Sequence, residues 1–268
     1  MVRPILEYGD VLYDNTTIKN KLKLDNIQRK AAIICTGAYR HTETRSLLHE
    51  LACEPLATRR TNHKIIQFFK IINHIYPSSL LDLINQRRND AYNLRNSRRF
   101  LIYVRRTETS NRSFFPSTAR LWNTLPGSVT NAITVSSLKT QLNIRKPKPV
   151  LYYRLCSGKL GILVTRLRLG LSALNSHRHK YNFIDSPICP KCYNGPETPE
   201  HFFFTCNSYL LARNKLYDRL ISEINIDAAN LNHRNLLNIL IHGLVDVQYQ
   251  TNLLNIVQDY LQETKRFA

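Results

Sequence analysis

Three cysteines and one histidine lie close together in the segment ICPKCYNGPETPEHFFFTC, which covers residues 188 to 206. Two residues separate Cys189 from Cys192, eight more precede His201, and a further four precede Cys206. A tetrahedral zinc ion binds four thiolate or imidazole ligands at about 2.0–2.3 Å. The spacing C-x2-C-x8-H-x4-C therefore predicts a zinc site with these four residues as its ligands.

The residues between the ligands favour the turns that such a site needs. An Asn-Gly-Pro turn at residues 194–196 brings the chain back after the second cysteine. His201 and Cys206 are slightly more than one helical turn apart, so a short helix that begins near Pro199 would present both side chains to the ion. Four protein ligands leave no position for water, so we expect the zinc to be structural.

The alternatives to zinc are a disulfide bond or three unrelated buried thiols. A disulfide requires an oxidising compartment. The N-terminal sequence MVRPILEYGDVLYD lacks the basic region and apolar core of a secretory signal. We therefore expect reduced thiols and an intracellular protein of the nucleus, the cytoplasm or both.

The charge of the chain is strongly positive, with 38 Lys and Arg residues against 19 Asp and Glu residues and a net charge of +19. No acidic residue lies between Glu108 and Asp185, although this stretch contains twelve Lys and Arg residues. Such uncompensated charge favours a polyanionic partner, RNA or DNA, whose phosphates release counterions on binding. A basic surface without a partner is the alternative. No apolar run approaches the roughly 18–20 residues of a membrane span, so we expect no membrane partner.

Amphipathic periodicity predicts a mainly α fold. A helix is expected over the segment IKNKLKLDNIQRKAAIICTGAY, with Ile18, Leu22, Ile27 and Ile34 on one face, and another over residues 57–76. The arginine-rich residues 86–112 contain one candidate strand, FLIYV, and predict a short β or loop segment. We expect helical residues 1–144, a linker at 145–150 with two prolines, and a zinc-binding helical domain at 151–268.

Arginines near aromatic residues are candidates for contact with nucleic acid, because guanidinium groups bind phosphate and aromatic rings stack on unpaired bases. The predicted phosphate contacts are Arg98, Arg99, Arg105, Arg106, Arg166 and Arg168. No paired-carboxylate motif for two magnesium ions, P-loop or glycine-rich dinucleotide turn is present in the sequence. We therefore expect neither a catalytic site nor a small-molecule substrate.

Several stretches together resemble the C-terminal region of non-LTR (LINE-type, jockey-like) retrotransposon reverse transcriptases. These stretches are PILEYGDVLYD with NIQRKAAIICTGAYR, then SFFPSTARLWNTLP, and finally RLRLGLSALNSHRHKYNFIDSPICPKC with ETPEHFFFTC. The resemblance implies a thumb-like connector that follows the polymerase palm and ends in a Cys-Cys-His-Cys segment. The catalytic aspartates of the palm have no counterpart here, so we do not expect this chain to polymerise DNA by itself.

The resemblance and the charge together predict a zinc-stabilised nucleic-acid-binding fragment of a reverse transcriptase. The family's terminal region is thought to bind template RNA or target DNA during target-primed reverse transcription. Two alternatives remain open on the sequence, namely a zinc-stabilised protein–protein interaction module and a retrotransposon remnant without function.

Overall fold

The computed structural model describes residues 2–84, 100, 106–144, 158–244 and 247–267. Within these ranges the chain is mainly α and has no β-strand beyond an isolated bridge between Ile188 and Pro196, which confirms the predicted fold class. Most of the predicted β or loop segment at 86–112, including the candidate strand after residue 100, lies outside the described residues.

The described α-helices range from 4 to 19 residues in length. In chain order they are α1 (Val2–Glu7), α2 (Asp10–Tyr13), α3 (Ile18–Thr36), α4 (Thr44–Glu50), α5 (Leu56–Ile72), α6 (Glu108–Arg112), α7 (Phe114–Thr124), α8 (Gly127–Thr130), α9 (Val135–Gln141), α10 (Gly158–Arg168), α11 (Asn175–Lys180), α12 (Leu210–Ile224), α13 (His233–His242) and α14 (Val247–Glu263).

The chain forms two compact units. The N-terminal unit comprises residues 1–31 and 53–148, and the C-terminal unit comprises residues 32–52 and 149–268. The predicted linker at 145–150 lies outside the described residues. The predicted N-terminal region, residues 1–144, includes residues 32–52. In the structure these residues belong to the C-terminal unit.

Aromatic side chains form the core of the N-terminal unit, where α5 packs against α7 and α9. Phe68 and Trp122 are fully buried, with ring centroids 5.5 Å apart. The ring of Phe100 meets Phe68 edge-on at 5.0 Å. Both backbone polar groups of Phe100 also bond to the side-chain amide of Asn123 at 2.9 Å. Residue 100 is therefore held against α5 by ring packing and on α7 by two hydrogen bonds.

Buried cations of α5 are neutralised by carboxylates from the first helices. Arg59 forms an ion pair with Glu7 at 2.5 Å. Asp14 forms ion pairs with Arg60, at 3.3 Å, and with the ammonium group of Lys64. Burial raises the pKa of Asp14, but the ammonium groups of Lys64 and Lys21 more than offset that effect and lower the pKa overall. These pairs allow cationic side chains to lie inside the unit.

The core of the C-terminal unit is formed by α12, α13 and α14 around a run of three phenylalanines, Phe202–Phe204. Helix α12 packs along α14, and α10 contacts α13. Cys189 and Cys206 belong to this same core. Among the helices of the described ranges, none is both long enough and apolar enough to cross a membrane.

Candidate metal centre

The four predicted ligands come together in the C-terminal unit, and their ligand atoms all lie within 4.8 Å of one another. Sγ of Cys189 is 3.9 Å from Sγ of Cys206, and Sγ of Cys192 is 3.2 Å from Nε2 of His201. A tetrahedral ion with bonds of about 2.0–2.3 Å spaces its ligand atoms about 3.3–3.8 Å apart. The cluster could therefore hold a metal ion with protein atoms at all four positions.

A tight turn places the first two ligands. The N–H of Cys189 donates to the carbonyl of Gly195 at 2.9 Å, and the N–H of Tyr193 donates to the carbonyl of Cys189 at 3.0 Å. Gly195 has φ +113°, a conformation that glycine adopts without strain. The N–H of Asn194 also points at Sγ of Cys192, at 3.4 Å. This turn directs both sulfurs toward one point.

A π-helical turn, His201–Thr205, places the other two ligands. The N–H of Cys206 donates to the carbonyl of His201 at 2.9 Å, five residues back. This wider turn matches the five-residue step between the ligands, and single π turns are frequent at functional sites. At its start, the N–H of His201 donates to Oγ1 of Thr198 at 3.0 Å. The predicted short helix is thus present, with π rather than α geometry.

The protein environment opposes the ionisation of one thiol and favours that of another. Burial and the neighbouring sulfurs raise the pKa of the Cys206 thiol to about 11. Burial also raises the pKa of Cys192, but the N–H of Asn194 and the adjacent thiols reverse this effect, so that its pKa is lowered overall. Neighbouring thiolates repel one another, and a bound cation is the usual compensation for such a set of charges.

Thr205 orients the histidine ligand. Its Oγ1 is 3.1 Å from Nδ1 of His201, so that Nε2 is directed at the cluster. The second nitrogen of a metal-bound histidine normally has such a partner, and this bond sets the ring orientation and the tautomer. The four-residue step from His201 to Thr205 on a helix is a signal that the sequence analysis did not use.

We expect Thr205→Val to weaken metal affinity about 10- to 100-fold, because the isosteric side chain removes this hydrogen bond. The measurement is a Co²⁺ titration followed by the d–d absorption of the bound ion. Thr205→Ser retains the hydroxyl group and should bind normally, as should Ser208→Ala, which removes an exposed hydroxyl from the same loop. Equal affinities for Thr205→Val and Ser208→Ala would show that Thr205 does not orient the ligand.

Two side chains donate hydrogen bonds to carbonyl groups within and next to the π turn. Arg213 is buried, and its guanidinium donates to the carbonyl of Phe203 at 2.9 Å and to that of Cys206 at 2.6 Å. The hydroxyl of Tyr260 donates to the carbonyl of Phe202 at 2.6 Å. The turn that carries two ligands is thereby fastened to α12 and α14.

A buried ion pair attaches the loop to the end of the chain. Glu197 has no exposed surface and accepts two hydrogen bonds from Arg266, at 2.6 and 2.7 Å. The same carboxylate accepts from the N–H of Asn175 at 2.7 Å. The backbone N–H of Glu197 donates to the carbonyl of Pro187 at 2.8 Å. No local pattern links positions 197 and 266, so the sequence alone does not predict this pair.

The predicted phosphate-binding arginines are not all within the described ranges. Arg98, Arg99 and Arg105 lie outside them, and Arg106 is exposed. In the C-terminal unit, Nε of Arg166 donates to the carbonyl of Gly37 at 2.9 Å. Nε of Arg168 forms an ion pair with Glu50 at 2.6 Å, and its Nη1 donates to the carbonyl of Ile241 at 3.0 Å. These two side chains have structural partners, and their contact with phosphate stays a prediction.

Within the described residues, the Cys-Cys-His-Cys cluster is the one group of three or more His, Cys, Asp or Glu side chains that could hold a metal ion. Comparisons with protein-family models, with curated proteins and with solved structures found no match.

Proposed function

We propose that this chain is a zinc-stabilised, nucleic-acid-binding fragment of a non-LTR retrotransposon reverse transcriptase and that it lacks a polymerase site of its own. The observation that carries the proposal is the convergence of Cys189, Cys192, His201 and Cys206 in a chain with a net charge of +19. The resemblance described above supplies the family, and the cluster supports its terminal metal-binding segment.

Zinc is the metal that suits this set of ligands best. Three thiolates and one imidazole in tetrahedral arrangement are typical of structural zinc, whereas magnesium and calcium prefer oxygen ligands. With four protein ligands the metal would have no open position for water or substrate. When bound, zinc would compensate the thiolate charges and hold the two turns together. Because the ligands must be reduced thiolates, we place the protein inside the cell, in the nucleus, the cytoplasm or both.

Positive charge supports RNA or DNA as the partner. Several cationic side chains of the acid-free stretch are exposed in the structure, namely Arg112, Lys139, Lys159 and Lys180. Exposed Lys and Arg residues contact phosphates and release the counterions of a nucleic acid. The proposal therefore assigns the binding affinity to the basic surface and the local structure to the metal.

The experiment that tests this function is fluorescence anisotropy of a labelled single-stranded RNA over a series of salt concentrations, with zinc and after chelation. We expect the logarithm of affinity to fall linearly with the logarithm of salt concentration, with a slope of about −0.7 for each phosphate contacted. We also expect weaker binding after chelation. The same titration with single-stranded and duplex DNA then determines which nucleic acid is preferred.

Matched variants make the test specific. Lys159→Gln and Lys180→Gln remove exposed cations, and each is expected to reduce the slope by about 0.7 if it contacts a phosphate. Arg219→Gln removes the same charge from a side chain that is already paired with Glu223 and Asp259, and it should leave the slope unchanged. Absence of binding at moderate salt would contradict the proposal and favour the protein–protein interaction module.

A further inference from the structure

A second candidate site lies in the C-terminal unit, apart from the four metal ligands. It is a cavity of about 310 Å³ between the chain that follows α3 and the segment around α11. Its lining is rich in aromatic rings and includes Tyr39, His41, His177, Tyr181 and Phe183. Neither the metal cluster nor the mainly α fold explains why so many rings meet here.

The rings are arranged for stacking. Tyr39 and His177 are nearly parallel, with an interplanar angle of 14° and centroids 6.2 Å apart. Phe183 lies 6.2 Å from Tyr39, and Tyr181 lies 4.8 Å from His177. Tyr181 and Phe183 are 52% and 58% exposed. Large aromatic side chains that stay exposed beside a cavity are typical of surfaces that bind a ligand.

The position of Tyr39 is determined by its neighbours. The guanidinium of Arg166 lies 4.6 Å from the centroid of the Tyr39 ring, and its Nε donates to the carbonyl of Gly37. Gly37 has φ +62°, and a Cβ at this position would come within 2.7 Å of the Ile162 side chain. The end of α3 therefore requires glycine, and the turn that follows directs Tyr39 into the cavity.

The charge around the cavity favours an anionic partner. Residues 158–184 contain five Lys and Arg residues and no acidic residue, and two of these cations, Arg166 and Lys180, lie beside the rings of Tyr39 and Tyr181. Arg168 is paired with Glu50. The Lys180 ammonium lies 5.9 Å from the centroid of the Tyr181 ring. Burial and this ammonium group lower the pKa of His177, which favours the neutral form of its ring, and this ring lies nearly parallel to that of Tyr39. Glu43 at the cavity offers a carboxylate that can accept from a base amino group.

We propose that this cavity binds an unpaired nucleobase of a single-stranded nucleic acid, which stacks on the rings of Tyr39, Tyr181 and Phe183 while nearby cations contact the adjoining phosphates. The inference rests on the proposed function and adds a base-binding site to it. Aromatic rings within a basic surface are the usual basis of single-strand binding without sequence preference. A peptide aromatic side chain would also fill the cavity, but it would not use the surrounding positive charge.

The test uses the whole chain, loaded with zinc, and a 12-nucleotide oligouridine that carries one 2-aminopurine. Stacking of this base quenches its fluorescence, so we expect quenching at saturation. We expect Phe183→Leu and Tyr39→Leu to weaken binding about 5- to 150-fold, the range for the loss of one base–aromatic stack, with the salt slope unchanged. Tyr249→Leu, which alters an exposed ring of α14 outside the cavity, is the matched control.

The possible outcomes separate the two proposals. Binding with the expected salt slope but with no quenching, or with equal affinities for all three variants, would overturn the cavity site and leave the proposed function intact. No binding of any oligonucleotide by the unaltered protein would overturn the proposed function and, with it, the base site. Phe183 is exposed, so Phe183→Leu is expected to fold even if Tyr39→Leu does not, and the melting temperature of each variant verifies this.

Discussion

Replacing Cys206 with alanine is expected to abolish stoichiometric zinc binding and to produce the largest loss of stability among single substitutions in the C-terminal unit. Cys206 has no exposed surface and lies in the same core as Phe202 and Phe203. Binding of structural zinc supplies roughly 10–16 kcal/mol in comparable peptides. Alanine is close to cysteine in size, so lost packing alone would account for only a small part of the effect.

Two measurements check this prediction, the zinc-to-protein ratio by elemental analysis and thermal unfolding followed by circular dichroism. We expect a new unfolding transition at lower temperature, whereas the helices of the N-terminal unit, which contain none of the ligands, should persist. Chelation of the unaltered protein should have the same effect. Cys35→Ala is the control, because Cys35 is exposed and lies outside the cluster. Unchanged melting after chelation would contradict a structural metal site.

Replacing Arg266 with methionine is expected to destabilise the C-terminal unit by about 3–5 kcal/mol. The substitution leaves the carboxylate of Glu197 fully buried and without its cation, and the loss of attraction to a buried charge is costly. The peptide N–H of Asn175 would remain as a donor to Glu197 but cannot supply the missing charge. We therefore expect the loop that carries Cys189 and Cys192 to loosen.

Urea denaturation of the zinc-loaded protein measures this effect. Arg219→Met is the matched control, because Arg219 forms ion pairs on the surface, and such pairs contribute about 0–1 kcal/mol. The double variant Glu197→Gln with Arg266→Met removes both charges and should regain part of the lost stability. Similar losses for the two single arginine variants would indicate that the buried pair contributes no more than a surface pair.

Local sequence was sufficient to predict which four side chains converge as candidate metal ligands. The C-x2-C turn and the histidine-to-cysteine step each lie within a few residues, so turn residues and helical geometry determine where these side chains point. The mainly α fold was also predictable, since α5 has the expected apolar periodicity. The residues that fasten the site were not predictable in this way, because Arg213, Tyr260 and Arg266 come from later parts of the chain.

The apolar periodicity of a helix did not predict which of its faces is buried. The apolar face predicted for α3 is largely exposed, with Ile18 at 70% and Ile34 at 81%, although the helix itself is present. Conversely, Arg59 and Arg60 on α5 are buried, because carboxylates of the first helices lie opposite them. The apolar pattern of one helix distinguishes its apolar face from its polar face. It does not show which face another element covers.

The helical class, the positive charge and the four candidate ligands can be predicted from composition or from spacing over a few residues. The pairing of cations with carboxylates and the set of rings that line one cavity follow only from the packing of the folded chain. Arg168 meets Glu50 across 118 residues of sequence, and Tyr39 meets His177 across an even longer separation. Such contacts depend on how distant segments pack, and no local pattern encodes that packing.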